Sequence, residues 1–431
     1  MVIPNPTAAE LSGPAAPTTR PDCALTTNSD PFFSGRKHYP ELDGLRAVAI
    51  IAVIMVHFQE WLPKTVAART GEPGAAIISL ASHGAWGVDL FFVLSGYLIT
   101  GILLQSRGQK HYFRNFYARR FLRILPLYYG TLLATLLAAP MIFQRLPSFW
   151  AGAYRHQFWL WAYLSNFETA LHGPILGNFT HFWTLAVEEQ FYLAWPLVVL
   201  ALAPRRLLNF ALAAAFVIGA SNIVLNANLG AFSGWMQFSS VARMPPLLAG
   251  AALAVLASEG LLTKLKAWLI GSLATGMSAL LLCSLLMSRG WLPSDGKLLE
   301  HLLLAPVVFG GLVGWLVASV PGSPLVRLFS AAPLRSIGKY SYAMYVFHFL
   351  YIPLEMRLLP AADFVHRGPL AIAGLLLYFA SGVVVAYALA FASYHLYEKH
   401  FLKLKKYFPE RAGPPQLKNQ HAAVQHPAGG I

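Results

Sequence analysis

The sequence predicts an all-α polytopic membrane protein of about ten transmembrane helices, with one short re-entrant or interfacial segment. Three observations predict it. Of the 431 residues 56% are hydrophobic and only 12% are charged, where an ordinary soluble domain carries roughly a quarter charged. The apolar residues arrive in blocks of about 18 to 23, long enough to cross a hydrocarbon core of roughly 30 Å; a large soluble core could supply the percentage but not the blocks. Lys and Arg gather in short loops beside these blocks, where they set topology and meet anionic headgroups. That placement also argues against nucleic acid as the reason for the net charge of +14.

Taken in order, the first 38 residues are rich in Pro, Thr, Ser and Ala, lack a basic-then-apolar leader, and read as a disordered cytoplasmic tail. Apolar blocks follow near 44–62, 85–104, 124–143, 182–203, 207–226, 241–257, 268–287, 300–320, 341–359 and 369–394, giving a membrane domain over 39–400 and a basic cytoplasmic tail over 401–431. Arg243, Pro245 and Pro246 open the sixth block. Tyr154 to Leu171 is apolar and aromatic but short, and is placed as a re-entrant or interfacial element whose irregular backbone is covered by protein. With both termini inside, cytoplasmic loops carry about 22 Lys and Arg against about 8 outside. Making Tyr154–Leu171 a full span would put every later basic loop on the wrong side. Cys23 and Cys283 form neither a metal pattern nor a disulfide framework, and no metal is expected.

Ionisable side chains inside an apolar bundle are expensive, so each is a functional candidate. In ELDGLRAVAIIAVIMVH, Arg46 and His57 are eleven residues apart, three helical turns, which sets them on one face about 16 Å apart. Asp43, one turn below Arg46, is its natural ion-pair partner. The bland alternative is a topology anchor and a hydrogen-bonded core histidine. In HFWTLAVEEQFYLAWP, His181, Glu188 and Tyr192 fall at i, i+7 and i+11 on one stripe, while the adjacent Glu189 points about 100° away. Counted inward from opposite surfaces, His57 and Glu188 reach a similar depth, although Glu188 could equally form a structural ion pair with Arg243 or Arg46. GVDLFFVLSGYLITG carries Asp89 and the Ser95–Gly96 pair; a serine in such a helix usually bonds its own backbone. SIGKYSYAMYVFH brings Tyr342 and His348 onto an inner-half helix, with a structural or a functional role for His348 equally open. Arg119, Arg120 and Arg123, crowded into one turn, suit a multiply charged phosphate group as well as a positive-inside signal.

This series resembles the acyltransferase-3 family of membrane O-acyltransferases. The resemblance rests on Arg46–ten residues–His57, FFVLSG at 91–96, the Arg120-x-x-Arg123 loop, FWTLAVEEQFY at 182–192 and SYAMYVFH at 341–348, in that order, and runs from about Tyr39 to His400. It implies transfer of an acyl group, often acetyl, from cytosolic acetyl-CoA or another acyl-CoA to a hydroxyl of a carbohydrate-type acceptor, such as an exported polysaccharide, or of a small molecule such as a macrolide. It also implies a multi-pass protein of the cell membrane, the inner membrane in a bacterium. Many members carry a C-terminal extracytoplasmic SGNH domain; here a short basic tail follows the last block, so relay to such a fused domain is not expected. With the resemblance, Arg119, Arg120 and Arg123, together with His348, are expected to hold the donor. His57 is the candidate general base for the acceptor hydroxyl, and an acyl-histidine intermediate stays open beside direct attack. Glu188 would orient an imidazolium or bind the acceptor. Asp43, Arg46, Glu189, Ser95, Tyr192 and His181 are supporting residues. A transporter or lipid flippase would also hold charge at mid-depth, and is the competing class.

Overall fold

The computed structural model describes residues 39–144, 147–229, 233–291, 300–366, 368 and 370–409. The tail expected over 1–38, and the C-terminal tail from 410 onward, lie outside these residues. Among the described residues the regular structure is helical and no strand occurs. Each apolar block is a helix: α1 (Pro40–Trp61), α2 (Trp86–Ser106), α3 (Tyr112–Leu132), α4 (Trp183–Ala201), α5 (Pro204–Leu229), α6 (Met244–Ser258), α7 (Lys266–Ser288), α8 (Ala305–Val317), α9 (Ala332–Leu358) and α10 (Ala371–Ser393). Five helical stretches among the described residues are long and apolar enough to cross a membrane: Lys64–Ser106, Tyr112–Ile142, Pro204–Leu225, Lys266–Leu286 and Ala371–Tyr407. Helices α1, α4, α6, α8 and α9 fall outside that set, and three of these, α1, α4 and α9, carry Asp43, Arg46, His57, Glu188, Glu189 and His348.

Local chemistry explains two of the helix starts. Pro40 opens α1 with Glu41 and Asp43 in its first turn, where a fixed φ and negative charge both suit a helix N-terminus. Helix α9 starts at Ala332 with a proline in its first turn, well before the apolar block at 341, because its opening residues APLRSIGK are polar yet helical. His348 therefore falls past the midpoint of that longer helix.

Tyr154 to Leu171 is covered by three short helices, Ala151–Arg155, Gln157–Trp161 and Ser165–His172, with Tyr163 in the left-handed region at φ 56°. A closed set of side-chain hydrogen bonds fastens this stretch to α4. The Gln190 amide donates to Tyr163 O at 2.9 Å and to Asn166 Oδ1 at 3.0 Å, Asn166 Nδ2 donates to Ser240 Oγ at 3.0 Å, and Ser240 Oγ donates back to Gln190 Oε1. The Tyr163 ring stacks on Tyr128 of α3 with 4.0 Å between centroids.

Bare backbone sets the helix crossings. A Cβ on Gly96 of α2 would collide with the carbonyl of Leu247, and one on Gly250 of α6 with the carbonyl of Val93, so α2 and α6 touch backbone to backbone. Gly338 of α9 meets the carbonyl of Asp43 in the same way, which draws α9 onto α1. Small residues at crossings are how apolar helices approach closely without a hydrophobic driving force between them. Gly250→Val should therefore lower the thermal unfolding midpoint of the purified protein by the equivalent of about 1–3 kcal/mol of overpacking. Gly271→Val is the control, because a Cβ there meets nothing within 4 Å; equal midpoints for the two variants would contradict the crossing.

Candidate active site

The charged residues of α1, α3 and α4 converge. Arg46, Ser95, Arg120, Arg123, Glu188, Glu189, Tyr192, Tyr342 and Tyr345 line a cavity of about 750 Å³. A second cavity of about 870 Å³ shares Arg46, Arg120 and Arg123 and adds Gln109, Lys110, Asn115, Arg119 and Lys405 to its walls. Among the described residues, six cationic side chains and no carboxylate line this second space. The first sets the three shared arginines against two glutamates. The shared arginines thus stand at a boundary between an all-cationic vestibule and a mixed-charge chamber.

Several of these side chains have defined partners. Asp43 Oδ1 accepts from Arg46 Nη1 at 3.2 Å, the pairing expected from their one-turn spacing. Arg120 lies over the Tyr192 ring at 5.3 Å and the Phe116 ring at 6.0 Å, a cation–π setting that favours guanidinium in a poorly hydrated place. Arg119 faces only the vestibule, where its Nη1 donates to the carbonyls of Lys405 at 3.3 Å and Phe408 at 3.0 Å. That contact folds the chain beyond α10 across the mouth. Ser95 departs from expectation: its Oγ donates to Glu188 Oε1 at 2.5 Å rather than to its own helix. Helices α2 and α4 come close enough here for the carboxylate to outcompete the backbone carbonyl as acceptor.

The histidines gather elsewhere. His348, expected with the donor-binding arginines, lines neither cavity. Its Nε2 lies 3.0 Å from His57 Nδ1, and its Nδ1 lies 2.7 Å from the carbonyl of Tyr345. His181 leaves the stripe predicted with Glu188 and Tyr192, because α4 begins only at Trp183 and His181 sits in the preceding 3-10 turn, Gly177–Phe182. It packs edge-on against His348 at 5.0 Å and reaches the carbonyl of Val346 at 3.3 Å. His57 is not in the wall of the chamber that Glu188 lines. The two are linked through Tyr345, whose ring forms part of that wall and stands 5.3 Å from the His348 ring. The Tyr345 hydroxyl bonds Thr184 Oγ1 at 2.6 Å, one helical turn before Glu188.

Sequence reasoning missed the pairing of Glu168 with His156 and His172 and a further ionic cluster at the helix openings. Asp89 at the start of α2 is fully buried, with Arg243 Nη2 at 3.5 Å and His301 Nδ1 at 2.5 Å. Arg243 also lies over the Trp183 ring at 5.2 Å, so the guanidinium considered for Glu188 is taken up by Asp89. The available signal was positional: Asp89, Trp183, Arg243 and His301 each sit at the opening of α2, α4, α6 and α8, and alternate helices of an up-and-down bundle open at the same end.

The profile of the Acyltransferase domain family matches residues 39–395. Among curated proteins, the chain is 29% identical to the peptidoglycan O-acetyltransferase OatA of Listeria monocytogenes over 75% of its length and 51% of that protein. It is 30% identical to the putative peptidoglycan O-acetyltransferase YrhL of Bacillus subtilis, over 74% of the chain and 49% of the relative. The O-acetyltransferase OatA of Staphylococcus aureus is 29% identical over 73% of the chain and 50% of the relative. The chain spans about half the length of these curated relatives. No solved structure gives a significant match. With the family profile running from the first turn of α1 to the end of α10, this helical chain belongs to the acyltransferase-3 family of membrane acyltransferases.

Proposed function

We propose that the protein is an O-acyltransferase that moves an acyl group, acetyl by analogy with its relatives, from a cytosolic acyl-CoA to a hydroxyl of a cell-wall or exported glycan. The observation that carries this reading is the pair of neighbouring cavities that share Arg46, Arg120 and Arg123 in their walls. An all-cationic vestibule suits the phosphates of coenzyme A, since guanidinium forks match phosphate oxygens. The neutral pantetheine arm can then pass the arginines into the chamber. His57 takes the proton of the acceptor hydroxyl as its oxygen attacks the thioester carbonyl; the acyl–sulfur bond breaks and the imidazolium returns the proton to the thiolate. For the thioester to meet His57, the Tyr345 side chain that separates the imidazoles from the chamber has to turn aside. Glu188, held by Ser95, supplies a fixed carboxylate in the chamber for a hydroxyl-rich acceptor or for the imidazolium. The glycan acceptor follows from the printed names of the relatives.

The same reading sets ten helices across the membrane with both termini cytoplasmic, so that the vestibule opens to the cytosol. Reporter fusions after Arg206 and after Lys266 should both read cytoplasmic; a periplasmic signal at either would reverse the donor side. Purified protein should consume acetyl-CoA, and Arg120→Ala with Arg123→Ala should raise the apparent KM for acetyl-CoA about tenfold or more at low salt, a difference that narrows as salt rises because the lost contacts are ionic. An unchanged KM would leave these arginines as a topology signal.

His57→Gln should remove turnover by about two to four orders of magnitude while donor binding survives, since the amide is polar but cannot act as a base. Glu188→Gln keeps the acceptor oxygen for Ser95 and loses only the charge, so its loss should be smaller. Near-native turnover in His57→Gln would eliminate both the general-base and the acyl-histidine routes. A transporter would show neither acetyl-CoA consumption nor these rate losses.

A further inference from the structure

On the reading of His57 as general base, we infer that His348 is a positioning residue that fixes the His57 tautomer, so that the base is the Nε2 atom of His57. A backbone carbonyl can only accept, so the 2.7 Å contact of His348 Nδ1 with Tyr345 O puts a hydrogen on Nδ1. His348 is fully buried, and none of its contacts is with a carboxylate. A buried imidazolium without a counter-charge is costly, so the ring is neutral and its Nε2 carries a lone pair. The atom 3.0 Å away, Nδ1 of His57, is therefore the donor of that hydrogen bond. This leaves the lone pair of His57 on Nε2.

The direction of the arrangement follows from exposure. His348 and His181 are buried, whereas His57 keeps part of its surface accessible. His181 acts behind His348: its Nε2 donates to the Val346 carbonyl, and its ring packs edge-on against the His348 ring. One neutral ring thus orients another, and of the three only His57 keeps accessible surface. When His57 Nε2 takes a hydroxyl proton, its Nδ1–H bond to His348 becomes charge-assisted and holds the imidazolium in place. The proton then leaves from the same Nε2 to the departing thiolate, and His348 never changes protonation. Orienting partners of this kind are a general feature of working imidazoles, and a wrong tautomer can cost up to about 10⁴-fold in rate.

The test has a spectroscopic and a kinetic arm. With ¹⁵N-histidine in the full-length protein, the His57 signals, identified by their absence in His57→Gln, should show a protonated Nδ1 and a bare Nε2 at neutral pH. His348→Gln keeps an acceptor oxygen near the former Nε2 and should retain kcat to within about tenfold. His348→Leu removes the side-chain acceptor and should lower kcat by about 100-fold or more with KM for acetyl-CoA unchanged. Because His348→Leu leaves space in the core, its folding is checked by donor binding; if it does not fold, the wild-type spectrum and His348→Gln decide alone. A bare Nδ1 in the wild-type protein, equal rates for His348→Gln and a folded His348→Leu, or loss of activity in His348→Gln equal to that of His57→Gln would overturn the inference. If His57→Gln stays active, the general-base reading falls instead, and the tautomer assignment stands as structure alone.

Discussion

An apolar helix bundle cannot hold a lone charge cheaply, and this one holds five around a single chamber: Arg46, Arg120, Arg123, Glu188 and Glu189. Burying an unpaired ion costs several kcal/mol even after relaxation, so the five groups are tolerable only if they face one another across a polar space. That requirement dictates the rest of the core. Helices α1, α3 and α4 bring their charges to one cavity, within a bundle whose α2–α6 and α1–α9 crossings are bare backbone at Gly96, Gly250 and Gly338. Asp43 neutralises part of Arg46 from below, the rings of Phe116 and Tyr192 shelter Arg120, and Ser95 satisfies an oxygen of Glu188.

What the sequence made legible was periodic and local. The ten apolar blocks correspond to α1–α10, and the Asp43–Arg46 pair needed only a one-turn offset on a single helix. The arginines of α3 and the glutamates of α4 were visible because charge inside apolar runs is rare. The pairings between helices were hidden. Ser95 with Glu188, Asp89 with Arg243 and His301, and His57 with His348 each join residues about a hundred or more positions apart. Helix boundaries were less legible: α9 begins in a polar stretch ahead of its apolar block, and His181 was counted along α4 although it precedes that helix.

The cluster of Asp89, Arg243 and His301 obeys the same constraint away from the chamber. Asp89 has two cationic or cation-capable partners, and Arg243 adds the face of Trp183. A buried ion pair seldom adds net stability, but it penalises every packing that separates its members. Here its members come from the openings of α2, α4, α6 and α8, so the cluster fixes the mutual register of four helix ends. Val88 and Phe92, neighbours of Asp89 on α2, are in the chamber wall together with Leu185, just past Trp183. Register at that end therefore reaches the shape of the cavity without any charge of the cluster entering it.

On the proposed reaction, the charge order along the two cavities acts as a depth gauge. A polyanionic donor is drawn into the vestibule by Arg119, Lys110 and Lys405 as well as by the three boundary arginines. The cations end at the boundary arginines, so the phosphates are held there. Only the uncharged arm can go further, and its fixed length then determines how deep the thioester sits. Fixing that depth is a prerequisite for an imidazole held in one orientation by a neighbouring ring, since a base with a single usable nitrogen can serve only a reactant that arrives at a single level.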